Sequence, residues 1–206
     1  TLDEISNTAL IGKAHLSAYL ARLSDLYLVE RRLPATVPPA KRRQARTGRY
    51  HLTDPYFRFY FRFIAPHYSE LPYRAEPILA HVREELRAFV GLTGFEDLCR
   101  QWVTQQSRAG QLPFEAEVVG SHWSRDVQVD VVAVNWREKA LLLGECKWGT
   151  DAVGRDVIRE LLEVKTAKVL RTLPEAGQGW RVTHACFARA GFTDAARAEV
   201  KAHGAL

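Results

Sequence analysis

The sequence has no methionine, not even at position 1, and only three cysteines in 206 residues. Cys99, Cys146 and Cys186 are odd in number, far apart and without metal-ligand spacing. They are therefore expected to be reduced thiols of a cytoplasmic protein rather than a disulfide framework or a zinc site. No apolar run approaches the roughly 20 residues that a membrane span requires, and no signal peptide opens the chain, since Thr1 to Asn7 is polar. Internal repeats and low-complexity tracts are absent as well. The opening TLDEISN reads like the middle of a domain, and with the missing methionine it points to a piece of a longer polypeptide.

Acidic residues are scarce in the first third. Residues 1–66 carry 11 Lys+Arg against 5 Asp+Glu, whereas residues 67–206 carry 18 against 19. The positive excess of the chain thus lies at its start, which is where an anionic partner is expected. There the period of Leu16, Leu20 and Leu23, with Tyr19 and Leu26 beside them, predicts a helix over 13–26. A short strand over 28–33, a loop with Pro34, Pro38 and Pro39, and a returning strand over 49–52 follow. Helix, strand, basic loop and strand in this order is how a winged helix is built, with TLDEISN as the remainder of the preceding helix. Lys13 and the loop cations Lys41, Arg42, Arg43 and Arg46 are then the candidate DNA contacts.

Asp54-Pro55 carries both signals of a helix start, an N-cap carboxylate and a proline at the first helical position. The helix it opens has six aromatics in the eight residues from Tyr56 to Phe63, so it is expected to be packed on nearly every side. Pro66, Pro72 and Pro77 mark a linker, with a helix over 78–90. From Phe95 on, the pattern reads helix (95–106), three strands (114–120, 127–134, 140–147), a long helix (153–170), a strand (181–188) and a helix capped by Thr193. The expected division is a winged-helix domain over 1–65, a helical linker over 66–92 and an α/β domain over 93–206.

Two apolar runs, VQVDVVAV and ALLLGECKW, flank the turn Asn135–Lys139. A hairpin centred between Arg137 and Glu138 places Asp130 directly across from Glu145, with Cβ atoms about 5 Å apart. Lys147, two residues on, joins that face, while Cys146 points away. Two carboxylates and an ammonium thus meet on an otherwise aliphatic face of Val132, Val134, Leu141 and Leu143. Opposed like charges destabilise a sheet unless something neutralises them. Mg²⁺ prefers this combination of one or two carboxylates, waters and phosphate oxygens. The plain alternative is a structural carboxylate–lysine pair at a sheet end.

Asp130 followed by Glu145-Cys146-Lys147, on the α-β-β-β-α-β order, resembles the PD-(D/E)XK nuclease superfamily. In several branches the first helix supplies a further glutamate, and GFEDLCRQWV resembles that helix with Glu96 in the matching place. Glu96 also fits a plain capping box with Thr93. The larger pattern, a winged helix, then DPYFRFYFRF, GFEDL and the Asp…Glu-Cys-Lys set, resembles the C-terminal region of archaeal-type DEXX-box ATPases. That resemblance implies a P-loop ATPase domain upstream in the full polypeptide; no Gly-x4-Gly-Lys-Ser/Thr occurs in these residues. It further implies a restriction-endonuclease-like fold, Mg²⁺ or Mn²⁺ on Asp130, Glu145 and Glu96, Lys147 as the catalytic cation, and DNA as partner. Val129 replaces the proline of the motif, and Gln128 stands where many relatives are acidic, which bears on a second metal. Two other readings remain: an inactive DNA- or protein-binding module coupled to the ATPase, and a transcription regulator with a small-molecule effector domain. The second would not require three ionisable groups on one sheet face.

Overall fold

The computed structural model describes residues Thr1–Gly204, so the last two positions of the segment expected over 93–206 lie outside the described residues. Its first helix, α1 (Leu2–Ala9), is started by a capping box. The Thr1 hydroxyl accepts the Glu4 N–H, and the Glu4 carboxylate returns to the Thr1 amino group. In α2 (Lys13–Asp25) Leu16 and Leu20 are buried against Val29, while Tyr19 and Leu26 are exposed. Strands β1 (Val29–Arg32) and β2 (Arg49–Leu52) pair antiparallel, with Val29 opposite Leu52. The connection between them, expected as a loop, contains a one-turn helix, α3 (Pro39–Arg42), with proline at its first position.

The chain divides into two compact units, one of residues 1–33 and 44–94, the other of residues 34–43 and from Phe95 onward. Segment 34–43 therefore folds with the C-terminal residues. Ala35 donates its N–H to the Ser121 carbonyl at 2.8 Å. Thr36 Oγ1 lies 2.6 Å from Nδ1 of the buried His122. Burial holds His122 neutral by pulling its pKa down to about 4. The stretch expected as a single 1–65 domain is shared between the two units.

Asp54 caps α4 (Pro55–Phe59) by accepting the Tyr56 N–H at 2.7 Å, and the helix widens into a π-turn over Tyr60–Ile64. Burial on nearly every side is not what the structure has. Phe63 is fully buried, but Tyr56 and Phe61 are exposed. The reason is that one neighbouring helix, α5 (Leu71–Val90), covers one side: Phe59 and Phe63 pack on Phe89 with centroids 6.2 and 5.2 Å away. α5 starts earlier than the prolines predict, taking Pro72 in its first turn and absorbing Pro77 beyond a kink at Arg74.

In the second unit α6 (Glu96–Arg108) precedes three antiparallel strands, β3 (Val118–Trp123), β4 (Gln128–Asn135) and β5 (Ala140–Lys147). A helix follows as α7 (Arg155–Arg159), a π-turn over Glu160–Lys165 and α8 (Thr166–Leu170). Then come β6 (Arg181–Ala188), parallel to β5, and α9 (Asp194–His203), capped by Thr193. The sheet runs β3-β4-β5-β6. β3 begins at Val118 rather than at Phe114, whose ring is buried in the core instead.

Alternation of the central strands produces two apolar layers. Val132, Val134, Leu141 and Leu143 pack with Leu161 and Val169 of the long helix. Val131, Ala133, Ala140 and Leu142 pack with Cys99 and Val103 of α6. Gly144 fits the α6 layer closely: a Cβ there would lie 3.0 Å from the Val131 Cβ across the ladder, so Val131 would have to shift by a few tenths of an ångström. Leu142 is fully buried. Leu142→Ala should cost about 2–5 kcal/mol in denaturant unfolding, through lost transfer energy and a cavity; a loss below half a kilocalorie would contradict this packing.

Candidate active site

The turn after β4 is organised by Asn135, whose Oδ1 accepts the Glu138 N–H at 2.8 Å, and by Lys139 at a positive φ of 50°. It sets the register Asn135↔Ala140 through Val131↔Gly144, the register of a hairpin centred between Arg137 and Glu138. The ladder ends there, one pair short of Asp130 and Glu145. On its other edge β4 pairs Val132 with Gly120 but Val129 with His122, so Asp130 and Val131 together oppose the single residue Ser121. This is a β-bulge, a device that re-aims a side chain. Asp130 Oδ2 accepts the Cys146 N–H at 3.0 Å, where a ladder bond would otherwise stand.

Glu145 follows the parity of Leu141 and Leu143 and is 4% exposed. Its Oε1 accepts from Lys147 Nζ and its Oε2 from Lys165 Nζ, each at 2.7 Å. Lys165 closes the π-turn of the long helix. From the other layer Arg100 of α6 donates Nη1 to the Asp130 carbonyl at 2.7 Å and to Glu96 Oε2 at 3.3 Å, and Nη2 to Asp97 Oδ1 at 2.7 Å. Thr93 does not cap Glu96. Its hydroxyl donates to the Phe89 carbonyl, and α6 starts from a π-turn over Gly91–Phe95 with no side-chain cap.

Burial first, and the Glu145 charge second, raise the Asp130 carboxyl above its ordinary range, against the Cys146 N–H and the two lysines. Burial and the Asp130 charge raise Glu96, partly offset by Arg100. Burial pulls Lys147 down, but its hydrogen bond and charge attraction to Glu145 outweigh that, so the net shift is upward and Lys147 is an ammonium. Cys99 and Cys146 are free thiols in the α6 layer. The shared contact with Cys99 first, and burial second, push Cys146 far up, so it stays protonated.

Sequence reasoning named Asp130, Glu145, Lys147 and Glu96, and missed Lys165 and Arg100. Arg100 had a signal, lying four residues after Glu96 and three after Asp97 on a helix. Lys165 had none in the linear pattern. Of the basic set, Lys13 pairs with Asp3 at 2.7 Å, and Lys41, Arg43 and Arg46 are exposed. Arg42 is half-buried, with Nη1 enclosed and without a hydrogen-bond partner. Lys13 and Arg46 belong to the first unit, and Lys41, Arg42 and Arg43 to the second. Gln128 is exposed, across from Trp123. Among the described residues no three His, Cys, Asp or Glu side chains are grouped to enclose a metal ion, and no helix is long and apolar enough to cross a membrane.

A family described as archaea bacterial proteins of unknown function matches residues 60–169, from the aromatic helix through the sheet centre to Val169. The chain belongs to this family, DUF234. It is also similar to an uncharacterized protein of Methanocaldococcus jannaschii, 29% identical over 157 residues, which are 76% of this chain and 34% of that protein. The chain thus spans about a third of that relative's length. No solved structure matches it.

The raised Asp130 carboxyl carries a stability consequence. A folded-state pKa above the unfolded one means that the fold is favoured at low pH and loses that contribution as pH rises through the folded pKa. Asp130→Asn removes the loss and can still accept the Cys146 N–H. At neutral pH it should raise stability by up to about 1 kcal/mol in thermal unfolding, and the gain should shrink as pH falls through the carboxylate range. Equal destabilisation at all pH values would refute the charge argument.

Proposed function

We propose that the second unit is a nuclease-like module that hydrolyses phosphodiester bonds of DNA, and that the complete polypeptide couples it to a P-loop ATPase domain. The observation that carries this reading is the convergence of Asp130, Glu145, Lys147 and Glu96 where the central ladder ends. It is supported by the α-β-β-β-α-β order with a parallel last strand, which agrees with a restriction-endonuclease-like core. The first unit's helices and two-stranded sheet agree with a winged helix, which would hold duplex DNA.

The donor set suits a hard divalent cation. Asp130 and Glu145 offer carboxylate oxygens, and added positive charge would offset both the burial and the Glu145 charge that raise Asp130. Two carboxylates suffice for Mg²⁺ or Mn²⁺, whose remaining positions go to water and phosphate oxygens. Asp130 and Glu145 would hold the ion, with Glu96 at its margin; the ion would supply Lewis-acid charge at the phosphate. Lys147, kept as an ammonium, offsets negative charge building on the phosphate rather than abstracting a proton. Arg100 keeps α6 and the bulge together, and so holds Glu96 and Asp130 in place.

One observation favours a non-catalytic DNA- or protein-binding module: both oxygens of Glu145 already hold an ammonium group. Exposed Gln128, at the position where many members of the resembled superfamily are acidic, points the same way.

Calorimetric titration of Mg²⁺ or Mn²⁺ into wild type and into Asp130→Asn and Glu145→Gln separates the two. Binding to wild type that falls at least tenfold in both variants, with metal-dependent DNA nicking falling by orders of magnitude, is the expected outcome. Folded protein that binds neither ion and cuts no DNA form, also as the complete polypeptide, leaves the binding module. A second outcome concerns the basic residues. Replacing Lys41, Arg42, Arg43 and Arg46 together with alanine should weaken duplex binding regardless of sequence and flatten its salt dependence, as lost phosphate contacts do. Unchanged binding moves the nucleic-acid surface elsewhere.

A further inference from the structure

Strands β5 and β6 are parallel and in register to Lys147↔Ala188, so the next residues, Trp148 and Arg189, leave the sheet side by side. The Arg189 N–H donates to the Lys147 carbonyl at 3.0 Å. Its guanidinium carbon lies 5.2 Å from the Trp148 ring centroid, a cation–π contact. Phe95, just ahead of α6, packs on the same indole with centroids 4.8 Å apart. The segments beyond the strands are tied as well. Val153 donates its N–H to the Gly191 carbonyl at 2.9 Å, and Thr193 donates to the Val153 carbonyl at 3.0 Å. Trp148 and Arg189 thus stand on a fixed rim rather than on loose loops.

Arg189 is exposed and makes no ion pair with a carboxylate among the described residues. The other cations around the site are committed: Lys147 and Lys165 to Glu145, and Arg100 to Glu96 and Asp97. A planar guanidinium held over an indole is pre-organised, so little side-chain entropy remains to be lost on binding an anion. Its fork of N–H donors matches phosphate oxygens.

We infer that Arg189, supported by Trp148, is a phosphodiester-binding subsite that positions a backbone phosphate of the strand presented to Lys147. The ligand class rests on the nuclease-like reading of the site; the pre-organised, unneutralised guanidinium does not. Arg189 is a positioning residue. Its contribution is to affinity and register, so its removal changes KM more than kcat.

The test is fluorescence anisotropy of a labelled DNA duplex with the whole 206-residue chain, across a salt series, with Ca²⁺ present to prevent cleavage. Inorganic phosphate serves as competitor. Wild type is compared with Arg189→Ala, Arg189→Lys and Trp148→Leu, each checked for folding by thermal unfolding. Arg189→Ala should bind on the order of tenfold more weakly. Its salt slope should fall by about 0.9, the loss of one phosphate contact. Arg189→Lys should keep the slope and recover part of the affinity, and Trp148→Leu should weaken binding with the slope retained. Inorganic phosphate should compete only weakly, because it offers one site where DNA offers many; strong competition would assign the subsite to free phosphate and overturn the proposal.

A folded Arg189→Ala with wild-type slope and affinity overturns it too, as does a wild type that binds no duplex. The two readings fail separately. If wild type never cuts with Mg²⁺ or Mn²⁺ but Arg189→Ala loses a phosphate contact, the subsite stands and the hydrolytic reading falls. If wild type cuts and Arg189→Ala leaves KM and slope unchanged, the hydrolytic reading stands and the subsite falls.

Discussion

The second unit turns on the place where the β4–β5 ladder stops. One extra residue in β4 ends regular pairing at Val131↔Gly144 and lets the Asp130 carboxylate accept the Cys146 N–H. A backbone donor that would be orphaned in a buried strand is satisfied by a side chain, so the bulge costs the sheet little. In return an acidic group is fixed against the strand that carries Glu145 and Lys147. The same bulge exposes the Asp130 carbonyl to Arg100, which ties α6 to the strand end. Without the extra residue Asp130 would be an ordinary ladder member and α6 would lose its polar anchor.

Charge balance follows from that geometry. Asp130 lies within electrostatic reach of both Glu96 and Glu145, in a largely buried region where unpaired charge is costly. Their counter-charges come from three elements: Arg100 from α6, Lys147 from β5 and Lys165 from the long helix. The balance is uneven. Glu145 has two ammonium partners, whereas Asp130 relies on one backbone N–H and more distant lysines, and both Asp130 and Glu96 are pushed upward. Added positive charge is therefore favoured beside Asp130.

Two apolar runs, VQVDVVAV and ALLLGECK, on either side of the polar turn 135–139 located both strands, and centring the hairpin between Arg137 and Glu138 set their register. Thr193 before an amphipathic stretch and Asp54-Pro55 marked two helix starts where they stand. The bulge was not legible within β4, since that strand holds no glycine or proline, Gly120 stands on the partner strand, and one residue of excess shows only against that partner. Lys165 was hidden because its partner lies 20 residues away on another element. The start of α5 was misplaced because proline reads as a breaker, while Pro72 sits in a first turn that needs no N–H. Burial of the aromatic helix was overestimated because composition does not reveal how many neighbours a helix has.

Magnitudes also separate the cations by what they can serve. Lys13 and Asp3 form an ion pair that is more than half exposed on both sides. Such a pair is worth about 0–1 kcal/mol and weakens with salt, so it does not withhold Lys13 from a phosphate. Lys165 is in the opposite position: it and Glu145 are largely buried, and breaking that pair would leave a carboxylate desolvated with one partner fewer. Lys147 lies between, 41% exposed yet bonded to the same carboxylate. On the proposed nuclease-like reading, it is the lysine that would turn toward a phosphate while Lys165 keeps Glu145 neutralised. The doubled ammonium on one glutamate is then not redundant. One lysine holds the charge balance of the buried site, and that leaves the other able to leave it.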